Sequence, residues 1–237
     1  MTTIGVYDSG VGGLTTLKLL KDNFPFCDFY YLADNKNMPF GTKNETELAR
    51  IFDNAQKKLK AHSDIQVLAC NTSSTLCESE DVLKLLPPAT TCGKTLVMAT
   101  PMTQKRLKSQ SEFQDERYTF VSTPELATLV EVYASVAARK GCLNMRDALL
   151  YLAPKLKEFK GVENVVLGCS HYVYLKNEIS RVLGTVKFVD GNQNIIDNLK
   201  RILITEKRQG KTFFDFTVGD ETAKYQTIMD LLEKSNS

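Results

Sequence analysis

Apolar residues along this chain gather into short runs, and nearly every run stops at a small polar or reactive residue. Ile4–Tyr7 runs into Asp8-Ser9-Gly10, Phe29–Ala33 into Asp34, and Ile65–Ala69 into Cys70. Thr95–Ala99 stops at Thr100, Tyr118–Val121 at Ser122, Val165–Gly168 at Cys169 and Val186–Val189 at Asp190. Short continuous apolar runs between turn signals predict buried strands. Helical spacing lies between them, as in Leu14, Leu17 and Leu20, or Leu48, Ile51, Phe52, Ala55 and Leu59. Asn44 followed by Glu47 predicts the start of that second helix, with the two side chains capping reciprocally. Strands alternating with helices require crossover connections, so the fold class is α/β with a mainly parallel sheet.

The clearest break is Pro87-Pro88-Ala89-Thr90-Thr91-Cys92-Gly93, where a domain crossover is expected. The two sides of it look alike. Val67-Leu68-Ala69-Cys70-Asn71-Thr72 parallels Val166-Leu167-Gly168-Cys169-Ser170-His171. If the halves are two similar open, mainly parallel-sheet domains related by a pseudo-twofold, the strand-end residues of each face the other across a cleft, since ligands bind at the carboxyl ends of strands in open parallel sheets.

Composition narrows the function classes. Hydrophobic residues make up 43% and charged residues 24%, as in an ordinary globular protein. With 30 basic and 28 acidic residues the net charge is +2, which gives no case for a nucleic-acid partner. No apolar run has the roughly 20 residues of a membrane helix, and no secretory signal is evident, so the expected place is the cytoplasm. Six cysteines without a Cys-x-x-Cys, and only two histidines, argue for reduced thiols and against a metal site.

Chemistry therefore centres on Cys70 and Cys169. A free thiol is only about 3% thiolate at pH 7. A helix N-terminus favours the anion, and a strand-end cysteine that opens a helix sits at one. Two thiols facing each other across a cleft could invert a stereocentre, one removing a proton from one face and the other returning one to the opposite face. Such chemistry needs no cofactor. Cys27, Cys77, Cys92 and Cys142 read as filler or core. The run Asp8-Ser9-Gly10-Val11-Gly12-Gly13 is not a dinucleotide fingerprint, because Thr15 replaces the third glycine and an acid precedes the loop. Its backbone N–H groups are expected to approach a small carboxylate instead. Pro39-Phe40-Gly41-Thr42 is a loop with the same potential.

Four of these segments together resemble the cofactor-independent glutamate racemases of the aspartate/glutamate racemase superfamily. They are Ile4–Leu14, Pro39–Thr42, Ala69–Ser74 and Leu167–Tyr172, with weaker matches at Thr100 with Thr103, at Pro124-Glu125-Leu126 leading to Glu131, and at Val218-Gly219-Asp220. The resemblance implies two α/β domains, 1–93 completed by a returning 212–237, and 94–211. It implies Cys70 and Cys169 as acid/base thiols, Asp8 assisting the first and His171 the second, with Glu131 as a further helper. Asp8, Ser9, Pro39, Phe40, Gly41, Thr42, Asn71, Thr72, Thr103, Ser170 and His171 would hold the amino acid. It implies racemisation of glutamate for peptidoglycan synthesis, no cofactor or metal, and a homodimer whose arrangement stays open.

Read from the residues alone, Asp8 could instead cap the following helix, and Glu131 could lie on a helix surface. The chain also departs from the family's pattern. Phe40 stands where tyrosine is usual, Ser170 where threonine is usual, and Val173 where proline is usual. The stretch from Cys70 to Thr100 is short, as though a strand and a helix before the crossover were missing. Racemisation of another small acid such as aspartate, a non-catalytic relative that binds an acidic metabolite or a protein partner, and a Cys-His hydrolase remain rivals.

Overall fold

The computed structural model describes residues 2–234. Its first strands and helices are β1 (Thr3–Asp8), α1 (Leu14–Asn23), β2 (Asp28–Ala33), α2 (Glu45–His62), β3 (Ile65–Leu68), α3 (Asn71–Leu76) and β4 (Val82–Lys84). Then come β5 (Thr95–Ala99), α4 (Pro101–Lys108), β6 (Tyr118–Ser122), α5 (Glu125–Lys140), α6 (Leu149–Leu156), β7 (Asn164–Gly168), α7 (Lys176–Leu183) and β8 (Lys187–Val189). The chain finishes with α8 (Asn192–Ile202), β9 (Thr212–Phe216) and α9 (Thr222–Lys234).

Two sheets form, ordered β4-β3-β1-β2-β9 and β6-β5-β7-β8, and every pairing in both is parallel. Numbered within each half, the first four strands run 4-3-1-2 and the second four, read from the β8 edge, run 4-3-1-2 again. The likeness seen in two short segments is thus a likeness of whole topologies. Cys70 follows the third strand of one half and Cys169 the third strand of the other.

The burial pattern explains why the strands read as unbroken apolar runs. β2, β5 and β7 are buried at every position, because helices cover both faces of each sheet. The three-residue strands β4 and β8 lie at sheet edges, where shortness limits unwanted pairing. One apolar cluster runs through the interface between the sheets, including Val11 and Leu14 from the first half and Leu126, Val130 and Tyr172 from the second. Burying each such side chain contributes about 1.5–3 kcal/mol.

Two local expectations need correction. Asn44 does cap α2, its side chain accepting from Glu47 N–H at 2.9 Å, but Glu47 does not reciprocate; its carboxylate pairs with Lys43 at 2.8 Å. A salt bridge to a lysine within reach displaces the return bond. The short stretch after Cys70 does hold a strand, β4, and it passes from β4 to β5 without a helix.

Candidate active site

Both cysteines sit at the carboxyl ends of strands, one in each sheet. Asp8 closes β1, Cys70 follows β3 and Ala69, Thr100 follows β5, and Cys169 follows β7. Both thiols are buried, 5% and 7% exposed. Asp8, Asn71, Thr72, Thr103, Glu131, Ser170 and His171 are buried with them.

Asp8 does not cap α1, whose N-cap is Gly13 with no side-chain bond. It reaches across the interface instead. Its Oδ1 accepts from Gly10 N–H at 2.8 Å and its Oδ2 from the Ser170 hydroxyl at 2.9 Å. Burial pushes its carboxyl from 3.8 up to about 6, against the pull of His171, the Gly10 N–H and Ser170.

Beside Cys169 a chain of contacts runs outward. Cys169 Sγ lies 3.9 Å from His171 Nδ1, and His171 Nε2 lies 2.9 Å from Glu131 Oε1. Val11 N–H donates to the same Glu131 oxygen at 2.6 Å. Lys224 Nζ of α9 stands 3.8 Å from Glu131 Oε2. Burial opposes charge on both members of the His171–Glu131 pair. The partners outweigh it: Cys169 and Glu131 raise the imidazole well above its usual value, and His171, Val11 N–H and Lys224 hold the carboxyl low. Glu131 is therefore an interior group tying the halves together, and a helix-surface place is excluded.

The glycine loop differs from its expected use. The N–H groups of Gly10 and Val11 are occupied by the protein's own carboxylates, Asp8 and Glu131. The glycines serve close approach: a Cβ on Gly10 would fall on the Glu131 carboxylate, and one on Gly12 would come within 2.6 Å of His171 Nδ1.

Cys70 also departs from expectation. It is the N-cap of α3, yet burial and the charge of Asp8 push its thiol up to about 12; hydrogen bonding to Ser73 opposes this only in part. One helical turn of aligned peptides does not offset full desolvation.

The remaining predicted residues divide. Thr72 Oγ1 lies 3.1 Å from Thr100 Oγ1, which donates to Thr103 at 3.2 Å, a hydroxyl row crossing between the halves. Asn71 donates to Leu85 O at 2.7 Å, while its buried Oδ1 has no partner among the described residues. Ser9 is buried and lines a cavity of about 320 Å³ together with Glu131 and Lys224. Phe40 is buried against Tyr7, ring centroids 6.3 Å apart, and a Cβ on Gly41 would stand 3.0 Å from Thr100 Cγ2. Pro39 supplies the carbonyl that Thr42 bonds at 3.2 Å; Thr42 itself is exposed and joins none of the others.

Sequence reasoning matched Thr100 to the family together with Thr103 but gave it no place in the site, and it passed over Tyr174 and Lys224. Thr100 carried a signal, a strand-end polar residue three before Thr103. Tyr174, whose hydroxyl donates to Val11 O at 2.8 Å, and Lys224 carried none, because only the packing of the halves brings them near.

Relatives settle the family. A glutamate racemase of Clostridium novyi is 34% identical over 222 residues, covering 86% of this chain and 84% of that protein. The chain belongs to the glutamate racemase family. A glutamate racemase of Leptospira borgpetersenii is 30% identical, covering 98% of this chain and 97% of its own. Among solved structures, glutamate racemase from Thermus thermophilus in complex with beta-chloro-D-alanine matches with a TM-score of 0.77 at 28% identity, over 98% of this chain and 93% of that one. The Francisella tularensis enzyme in complex with D-glutamate shares the fold at a TM-score of 0.74 and 22% identity, over 98% and 94%. No family model matches the chain. The family is one of amino-acid racemases, in agreement with the sequence reading, and the two parallel-sheet α/β domains agree with the racemase structures. Among the described residues, no helix is long and apolar enough to cross a membrane.

Proposed function

We propose that this chain interconverts L- and D-glutamate by proton transfer between Cys70, Cys169 and the α-carbon, in the cytoplasm, supplying D-glutamate for peptidoglycan. The observation that carries the reading is the equivalence of the two cysteines. Each follows the third strand of a repeated four-strand topology, each is buried at the interface, and each has its own ionisable neighbour: Asp8 near Cys70 and His171 beside Cys169.

In this scheme one sulfur takes the α-proton as the C–H bond breaks, leaving the electron pair on carbon. The opposite thiol then gives its own proton to the other face, so one proton leaves and one arrives. The His171–Glu131 pair stands beside Cys169, with His171 Nδ1 3.9 Å from its sulfur. Cys70, pushed up to about 12 by burial and the charge of Asp8, requires help when it acts as base. The substrate's ammonium beside the unpartnered Asn71 Oδ1 and Asp8 supplies it, since a cation there favours the anion. The Thr72, Thr100 and Thr103 hydroxyls and Ser170 accommodate the carboxylates without an arginine beside the thiols.

The test is α-proton exchange in deuterated water with L- and D-glutamate, and with both aspartate enantiomers in parallel. Racemisation with exchange for glutamate alone is expected. Cys70→Ala and Cys169→Ala should each lose at least about 10³-fold, within the range of lost acid–base catalysis. Normal turnover in either variant rejects the two-thiol scheme, and exchange with aspartate alone reassigns the substrate.

A further inference from the structure

The two thiols differ in their connection to solvent. On the Cys70 side, Asp8 is fully buried, and its oxygens are engaged by Gly10 N–H and the equally buried Ser170 hydroxyl. On the Cys169 side, contacts run from Sγ to His171 Nδ1, from Nε2 to Glu131 Oε1, and from Glu131 Oε2 to Lys224. Glu131 and Lys224 both line the cavity of about 320 Å³ between the halves, whose walls also include Ser9, Thr128 and Arg139. Lys224 is itself held by Glu221 at 3.2 Å. This path ends in space for water, whereas Asp8 reaches it only at second hand, through the Ser170 hydroxyl that lies 3.4 Å from His171 Nδ1.

We propose that this cavity is the port through which the proton of Cys169 exchanges with bulk water, by way of His171 and Glu131, and that Lys224 is a positioning residue that keeps the outer oxygen of Glu131 turned toward it. The proposal rests on the two-thiol reading above. When the S–H bond of Cys169 breaks, its proton forms an N–H bond at His171 Nδ1. The proton on Nε2 passes to Glu131, and one leaves the Glu131 carboxyl for water in the cavity. One proton exits, the sulfur keeps the electron pair, and reversal returns one from solvent. Glu131 is well suited to relay, since Val11 N–H and His171 fix one oxygen while Lys224 faces the other. Lys224 comes from α9, so the last helix of the chain takes part in a site built from strand ends far earlier.

The prediction is asymmetry. An enantiomer whose proton goes to Cys169 should return from the enzyme partly deuterated in deuterated water, because that thiol exchanges before the proton goes back. Its mirror image, deprotonated by Cys70, should return unlabelled. The full-length chain is incubated with L- and, separately, D-glutamate, quenched early, and deuterium in the recovered starting enantiomer is read by mass spectrometry. In Cys70→Ser the only one of the two thiols remaining is Cys169, so the enantiomer that this variant still exchanges with solvent is the one that Cys169 attacks. Lys224→Met and Lys224→Gln should cut the washout of the Cys169 enantiomer about tenfold, within the range lost when a proton-transfer group is misplaced. Lys224→Arg should restore it, and the other enantiomer should not change.

Equal washout from both enantiomers of the wild type overturns the port. So do lysine variants that remain folded by thermal melt and leave the washout unmoved, or that lower it for both enantiomers alike. A wild type that neither racemises nor exchanges glutamate removes the racemase reading itself, whereas racemisation with symmetrical washout removes only the port.

Discussion

Asp8 is the residue at which stability and activity pull apart. Its carboxyl is fully buried and raised from 3.8 to about 6. A raised folded-state value means that Asp8 favours folding below about pH 4 and that this contribution is lost as the pH climbs through 6. Two units correspond to roughly 3 kcal/mol. Asp8→Asn is therefore expected to raise the unfolding free energy at pH 7.5 by about 1–3 kcal/mol, to change little at pH 4, and to depress racemisation. Urea unfolding at the two pH values checks this, and a loss of stability at pH 7.5 would contradict it. Gly10→Ala addresses the other half of the interface. Its added methyl lands on the Glu131 carboxylate, so a loss of about 1–3 kcal/mol is expected, with activity falling at least about tenfold. Wild-type kinetics in Gly10→Ala would show that Glu131 has room to withdraw.

Among the elements, the short strand β4 and the C-terminal helix α9 have work that their sequences do not announce. β4 leads into Leu85, whose N–H donates to the Ser74 hydroxyl at 3.0 Å and whose carbonyl holds Asn71. The trimmed segment after Cys70 thus still anchors the helix that Cys70 opens. Helix α9 packs Tyr225 against Tyr31, Phe214 and Phe216, which fixes the face that carries Lys224. The Tyr225 hydroxyl is buried with no partner among the described residues. Leaving a polar group so placed costs about 1–3 kcal/mol. Tyr225→Phe should accordingly hold or raise the melting temperature with turnover unchanged. A clear drop in melting temperature would mean that the hydroxyl has a partner after all, such as water.

For the molecule as a whole, closure of the two halves decides which thiols meet solvent. All six cysteines are free, but only Cys92 and Cys142 are exposed. Two thiols should react quickly with a polar disulfide reagent and four slowly, with Cys70 and Cys169 among the slow ones. Glutamate should slow those two further if it draws the halves together. Rapid labelling of Cys70 or Cys169 by peptide mapping would mean that the resting protein is open. The cross-interface bonds from Ser170 to Asp8, from Val11 to Glu131, from Tyr174 to Val11 and between Thr72 and Thr100 are among those that opening must break.

The seven longer runs, their order and the parallel sheets were legible because buried parallel strands are continuous in sequence, and each needs its own crossover helix. β4 and β9 were not: Val82-Leu83-Lys84 runs on into Leu85-Leu86-Pro87-Pro88 with no small polar residue to stop it, and Thr-Phe-Phe-Asp-Phe is broken by an aspartate. Cys70, Cys169, Asp8 and His171 could be singled out because strand ends are visible as the places where apolar runs stop. The identity of each residue's neighbours was not visible. Whether Asp8 caps a helix or bonds Ser170, whether Glu131 faces water or His171, and whether a thiol at a helix start is helped or penalised depend on what lies opposite across the interface. Local sequence sets propensity and period. Desolvation and the meeting of residues more than a hundred positions apart arise only when the two halves pack, and those set the charges on which proton transfer depends.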